Sequence, residues 1–301
     1  MADAVPKLVQ YVVNEDISGA TSVLTSPEGA DANWQLQYDR DIGERKFVRG
    51  DSVLHIAVKM RNATLVKLLI IFDANLQVKN RMRETPLMVA NNVHAAECGH
   101  AISRVLELRK KLPLVPKKSA KPVPKQKDDD VFLLSLDGGG IRGLVFIQSI
   151  IELDKRREQL YRGSKPFLDY FNWITGNSTG GIAALALAIG KDPTHGRKLY
   201  FHLKNEVLMG KPPFDNDQIT EVLQNTFGSA TTMSSIEDQK KYNVSVMTTL
   251  ACTNPPKLHI MRSYGGPADD GQASPSERRI WEAARATCSC CSLLPSIWKF
   301  H

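Results

Sequence analysis

Residues 131–190 read strand, glycine turn, helix, strand, glycine turn, helix, and that order constrains the fold more than any other feature of the chain. Val131-Phe-Leu-Leu-Ser-Leu136 is an apolar run without alternation, the pattern of a strand buried on both faces of a parallel sheet. Glycines 138, 139, 140 and 143 punctuate the first turn. From Leu144 to Arg157 apolar residues recur at 144, 147, 150, 151 and 153, the spacing of one helix face. Phe171-Asn-Trp-Ile-Thr175 predicts a second strand, Gly176 to Gly180 a second turn, and Gly181 to Ile189 an Ala/Leu-rich helix. Strands that alternate with helices specify an α/β class.

The two turns carry the chemistry. Gly176-Asn-Ser-Thr-Gly180 is G-x-S-x-G between a predicted strand and a predicted helix, the context of a nucleophile elbow that lifts Ser178 clear of the sheet. A serine attacks a carbonyl only if one group takes its proton and another holds the resulting oxyanion. Asp137-Gly-Gly-Gly-Ile-Arg-Gly143 supplies the second requirement: the amides of Gly138, Gly139 and Gly140 are unobstructed by side chains, and Arg142 adds a cation. The same loop formally satisfies the G-x-G-x-x-G of a dinucleotide site. Such a site expects an acidic residue about 20 positions on. Here the second strand ends instead in the Ser178 elbow, and no Gly-Lys-Ser/Thr marks a Walker loop.

Upstream, Asp51-Ser-Val-Leu-His-Ile-Ala57 and Glu84-Thr-Pro-Leu-Met-Val-Ala90 align at a spacing of 33 residues, the ankyrin period. Pro86 suits a helix start, and Leu65, Leu68 and Leu69 predict a second helix over 63–72 of the first copy. Residues 1–108 therefore read as an all-α ankyrin-repeat region, with clear copies near 50–82 and 83–108 and a degenerate cap within 5–49. Such a region serves binding or self-association, since each unit must bury its apolar face on a neighbour.

Charge separates the two regions. The chain carries a net +7, yet residues 109–127 alone hold eight Lys or Arg and no acid, which leaves the remainder near neutrality. Pro113, Pro116, Pro122 and Pro124 make 109–130 an extended linker, suited to a tether or to attraction by anionic phospholipid rather than to nucleic-acid binding. Asp3, Glu15 and Asp16 occupy the place where an export signal would begin, and the longest apolar run, 182–189, is eight residues. Cys98, Cys252, Cys288, Cys290 and Cys291 form no disulfide framework. The expectation is a cytoplasmic, peripherally membrane-associated protein.

Asp-Gly-Gly-Gly-Ile-Arg-Gly followed by Gly-Asn-Ser-Thr-Gly-Gly resembles the patatin-like phospholipase family, and the ankyrin repeats ahead of it make the chain similar to the ankyrin-bearing, calcium-independent group VI phospholipase A2 enzymes. The resemblance implies a three-layer α/β/α domain over 131–287. It also implies a Ser-Asp dyad and hydrolysis of fatty acyl esters of glycerophospholipids through an acyl-serine, without metal or other cofactor. Ser178 takes the nucleophile's place; Gly138, Gly139 and Gly140 take the oxyanion hole, with Arg142 in support; Gly143, Gly176 and Gly180 are the remaining motif glycines. The substrate would be presented by a phospholipid membrane surface, and the repeats would hold protein partners or a second copy.

The dyad aspartate has no counterpart. After Ser178 come Asp192, Asp215, Asp217, Asp238, Asp269 and Asp270; only Asp270-Gly-Gln272 approaches the family's Asp-Gly-Gly or Asp-Gly-Ala, and it precedes Ile280-Trp-Glu-Ala-Ala-Arg-Ala-Thr287, which in the family comes before the base. His195, His202, His259 and His301 offer no evident replacement. The tail 288–301, with Cys288, Cys290 and Cys291, fits no zinc spacing and reads as divergent, so the domain is expected to be truncated and incomplete. The alternative function is then an impaired isoform acting as an ankyrin-mediated binding or regulatory subunit.

Overall fold

The structure, a computed structural model, describes residues 5–26, 28–42, 45–111, 130–161, 164–206, 215–238, 242–250, 253–265 and 278–288. The chain divides into two compact units, residues 1–114 and 115–301. Asp269, Asp270 and the tail from Ser289 lie outside the described residues, as does most of the basic stretch.

The first unit runs α1 (Lys7–Val13), α2 (Ile17–Thr25), β1 (Arg40–Ile42), β2 (Arg45–Phe47), α3 (Val53–Lys59), α4 (Ala63–Ile71), α5 (Pro86–Asn92) and α6 (Ala96–Lys111). It is not all-α: β1 and β2 pair as an antiparallel ribbon. Four of the six strand residues are charged, and in β2 Phe47 is buried while Arg45 and Lys46 are exposed, so no alternation announced the ribbon. α6 also continues to Lys111, placing Arg109, Lys110 and Lys111 on a helix rather than in an extended linker. Cations in the last turn of α6 suit its dipole.

The two aligned copies start their helices alike. Ser52 caps α3 by accepting from the His55 amide, and Thr85 caps α5 by accepting from the Met88 amide, with Pro86 in the first turn. Buried His55 links the copies: its Nδ1 accepts from the Ser52 amide at 3.1 Å, so Nε2 carries the proton and donates to the Glu84 carbonyl at 3.0 Å. Beside it, the Asp51 carboxylate is fully buried and accepts from Lys59 Nζ at 2.5 Å, the Val48 amide at 2.8 Å and Asn80 Nδ2 at 2.9 Å.

The second unit is α/β: β3 (Leu133–Leu136), α7 (Gly143–Leu160), β4 (Trp173–Asn177), α8 (Thr179–Ala188), α9 (Pro193–Glu206), α10 (Asn216–Phe227), α11 (Ser234–Asp238), β5 (Asn243–Leu250), β6 (Lys257–Arg262) and α12 (Ile280–Thr287). The sheet is mixed, in the order β3-β4-β5-β6. β3, β4 and β5 are parallel, while β6 returns antiparallel along β5. α8 packs on β4 and β5 and is buried from Gly180 to Ala188, which explains its small and apolar composition. α12 packs against β5, α8 and α10.

β3 departs from expectation. It has one partner strand among the described residues, and Leu133 is 57% exposed while Leu136 is 4%. An unalternating apolar run identifies a strand but does not say whether it sits at the centre or the edge of a sheet. β4, by contrast, is paired on both sides and buries Ile174, Thr175 and Gly176.

Candidate active site

Both glycine turns leave the same end of the sheet, after the C-terminal residues of parallel neighbours β3 and β4. Ser178 joins β4 to α8 with φ 51° and ψ −129°, a conformation that costs a non-glycine residue about 1–3 kcal/mol and persists only where surroundings enforce it. The strain lifts the half-buried serine out of the sheet at the N-terminus of α8.

The motif glycines are there because backbones touch. A Cβ on Gly176 would lie 2.8 Å from the Gly181 nitrogen, and one on Gly180 would lie 2.8 Å from the Asp137 carbonyl carbon, so only bare backbone lets the elbow close and rest on the end of β3. A Cβ on Gly138 would lie 2.8 Å from Ser178 Cβ: the first turn is in contact with the candidate nucleophile. Gly139 (φ 137°) and Gly140 (φ 58°) supply the left-handed turns that carry the loop past the serine into the 3₁₀ turn Gly140–Arg142 and α7. Gly143, opening α7, is covered by the ring of Tyr200.

Side chains fasten the two turns together. The Gly138 amide donates to Asn177 Oδ1 at 2.5 Å, and Thr179 Oγ1 donates to the Gly140 carbonyl at 3.4 Å. Gly138 was expected to offer its amide to an oxyanion; here that N–H is committed to Asn177, and the residue acts as a clasp. The exposed Arg142 guanidinium lies over Gly139, with Nε 3.1 Å from the position of a Cβ there. Asn177 was not foreseen, because an asparagine inside G-x-S-x-G leaves no periodic or motif signal.

The half-buried thiol of Cys288 lies near Ser178 and Arg285. Desolvation pushes that thiol up to about 12, against the pull of nearby Arg285, so it is neutral at physiological pH and cannot accept the serine proton. Burial likewise pushes the Tyr200 hydroxyl up. His195 and His202 lie on α9 and His259 on β6, and none hydrogen-bonds Ser178 among the described residues. Asp215 is occupied as the N-cap of α10. No group of three or more His, Cys, Asp or Glu able to hold a metal occurs among the described residues, and no described helix is long and apolar enough to cross a membrane.

The sequence that carries this serine and glycine loop matches known proteins. The sequence model of the patatin-like phospholipase family matches residues 134–297, more than half of the chain. The 85/88 kDa calcium-independent phospholipase A2 of Rattus norvegicus is 35% identical over 167 residues, which are 52% of this chain and 20% of that protein. An intracellular phospholipase A2 of Caenorhabditis elegans is 32% identical over 160 residues, 53% of this chain and 14% of the relative. A cGAMP-activated phospholipase of Vibrio cholerae is 48% identical over 65 residues, 21% of this chain and 18% of the relative. The chain thus spans at most a fifth of the length of these relatives.

Proposed function

The chain belongs to the patatin-like phospholipase family, and from that premise we propose that its second unit is a serine lipid acyl hydrolase acting on glycerophospholipids. The observation that carries the reading is the Ser178 elbow in contact with the glycine loop at Gly138. Ser178 Oγ attacks the ester carbonyl carbon. The carbonyl π pair moves onto oxygen, where the amides of Gly139 and Gly140 are the proposed donors and Arg142 the supporting charge. Collapse of the tetrahedral intermediate breaks the bond to the glycerol oxygen, which leaves as the alcohol with the proton given up by Ser178; water then adds to the acyl-Ser178, releasing the fatty acid and restoring the serine hydroxyl.

Among the described residues no carboxylate or imidazole is hydrogen-bonded to Ser178 to take its proton. Cys288 lies near Ser178 as a neutral thiol, and residues 179–301 contain no Asp-Gly-Gly or Asp-Gly-Ala. A general base acting on Ser178 would be worth about 10² to 10⁴ in rate.

We read the architecture around the site as the family's three-layer α/β/α arrangement, and the first unit as ankyrin-type repeats that hold a protein partner or a second copy. The +8 stretch at 109–127 brings the hydrolase unit to an anionic cytoplasmic membrane surface, each cation contributing about 1 kcal/mol. Two relatives are named for calcium-independent and intracellular phospholipases, and hydrolysis here is proposed to need no calcium. The test is fatty-acid release from mixed phosphatidylcholine and phosphatidylserine vesicles in EGTA. Release above that of Ser178→Ala is expected; equal release would contradict the assignment.

A further inference from the structure

We infer that Thr287 is a positioning residue for Ser178, its hydroxyl standing in for the sheet hydrogen bond that the elbow gives up. The register of β4 against β5 ends with Asn177 opposite Met247. At the next residue the chain swings out at φ 51°, and the Ser178 amide turns to a side chain rather than to strand backbone. Thr287 Oγ1 accepts from that amide at 2.8 Å and donates its own proton to the Met247 carbonyl at 2.6 Å. One hydroxyl thereby bridges the end of the β5 ladder and the strained residue, its single proton and one lone pair both in use.

Thr287 is itself held in place from two sides. Thr248 Oγ1 of β5 donates to the Ala286 carbonyl at 3.0 Å, fixing the C-terminal end of α12 to the strand. The Thr287 side chain also fills the space left by Gly181: a Cβ there would meet Thr287 Cγ2 at 2.7 Å and Oγ1 at 2.9 Å. Methyl and hydroxyl therefore have separate duties, packing under α8 and hydrogen bonding to the elbow. Thr287 is 9% exposed, so removing the hydroxyl leaves the Ser178 amide and the Met247 carbonyl without their partner in a site that water reaches poorly. A strained serine whose clamp is lost relaxes toward ordinary backbone angles, and displacement of a reacting atom by about 1 Å can cost 10²-fold in rate.

Two variants separate the duties. Thr287→Val keeps the shape and loses the hydroxyl; Thr287→Ser keeps the hydroxyl and loses the methyl. In the full chain, amide hydrogen exchange over residues 176–181 should quicken by about tenfold or more in the valine variant and stay within a few fold of wild type in the serine variant. The maximal rate of fluorophosphonate labelling should fall by about 10- to 100-fold in the valine variant with its half-saturating concentration unchanged, and serine should restore it. Wild-type exchange in Thr287→Val would overturn the inference. So would equal losses in both variants, because packing alone would then account for the effect. The kinetic consequence rests on the proposed nucleophile. A wild-type chain that fails to label would sink that proposal, while the exchange measurement would still decide the role of Thr287.

Discussion

Gly180→Ala probes whether the two glycine turns truly share one site. A methyl at 180 would sit 2.8 Å from the Asp137 carbonyl carbon and closer still to the Leu136 carbonyl oxygen. Both are backbone atoms at the end of β3, so no rotamer change relieves the overlap and the elbow must move off the strand. Overpacking of this kind costs about 1–3 kcal/mol, with the upper end apt for backbone against backbone. The better helix propensity of alanine returns up to about 1 kcal/mol, since Gly180 lies in the first turn of α8. A net loss of about 2 kcal/mol lowers Tm by about 4–8 °C in a unit of this size. The control is Gly190→Ala, at φ 78° with nothing within 4 Å of its would-be Cβ, where the cost of about 1 kcal/mol is purely conformational and far from the serine. Differential scanning fluorimetry and fluorophosphonate labelling should therefore diverge: both variants lose stability, but only Gly180→Ala loses labelling, by about tenfold or more. Wild-type labelling and Tm in Gly180→Ala would refute the contact between the turns.

Other outcomes follow from charge and burial. Burial, opposed by the hydrogen bond to the Glu84 carbonyl and by Asp51, holds the His55 imidazole below its ordinary value. The folded chain keeps it neutral while the unfolded chain takes up a proton below about pH 6.5, so its contribution is full above that pH and falls as pH drops through it toward the lower folded value. Urea melts should show less stability at pH 5.5 than at 7.5 with a shallower slope in His55→Gln, and stability that rises on acidification would contradict this. Asp51→Ala removes the anionic partner of Lys59, whose side chain is 12% exposed and keeps only the Lys46 carbonyl, and takes an acceptor from the Val48 amide and from Asn80; it should cost about 3–5 kcal/mol in the same melts; an unchanged midpoint would disprove the role of that carboxylate. Cys288→Asp places a carboxylate beside Ser178 Oγ with Arg285 near enough to favour its ionised form, and should raise the labelling rate by about tenfold or more while Cys288→Ala does not. Identical rates for the two would show that a carboxylate at 288 does not serve as a proton acceptor for Ser178.

Much of the second unit was legible because its elements follow buried periodicity. The helix expected at 144–157 is α7, Gly143–Leu160, and the one at 181–189 is α8, Thr179–Ala188. β4 begins two residues later than its apolar content suggested. Phe167 and Phe171 meet edge to face at 5.2 Å in the approach to the strand, and the extended backbone runs on through Gly176 and Asn177 before the turn begins. In the first unit the 33-residue alignment foretold matching helix starts at Ser52 and Thr85, since cap chemistry is local. What stayed hidden was long-range or one-sided. Nothing in the run 131–136 marks an edge strand, and the contact between Ser178 and Thr287 spans 109 residues through one hydroxyl. The Asn177 clasp on Gly138 redirects an amide that the motif alone would give to the oxyanion.

The central claim is that Ser178 is the nucleophile presented by this elbow, and its most direct test is mass spectrometry of the full chain after fluorophosphonate treatment, with peptide mapping. The account predicts a single adduct on the peptide carrying Ser178, absent in Ser178→Ala and unaffected by EGTA. An adduct that persists in Ser178→Ala, or none in the wild-type chain, would contradict it.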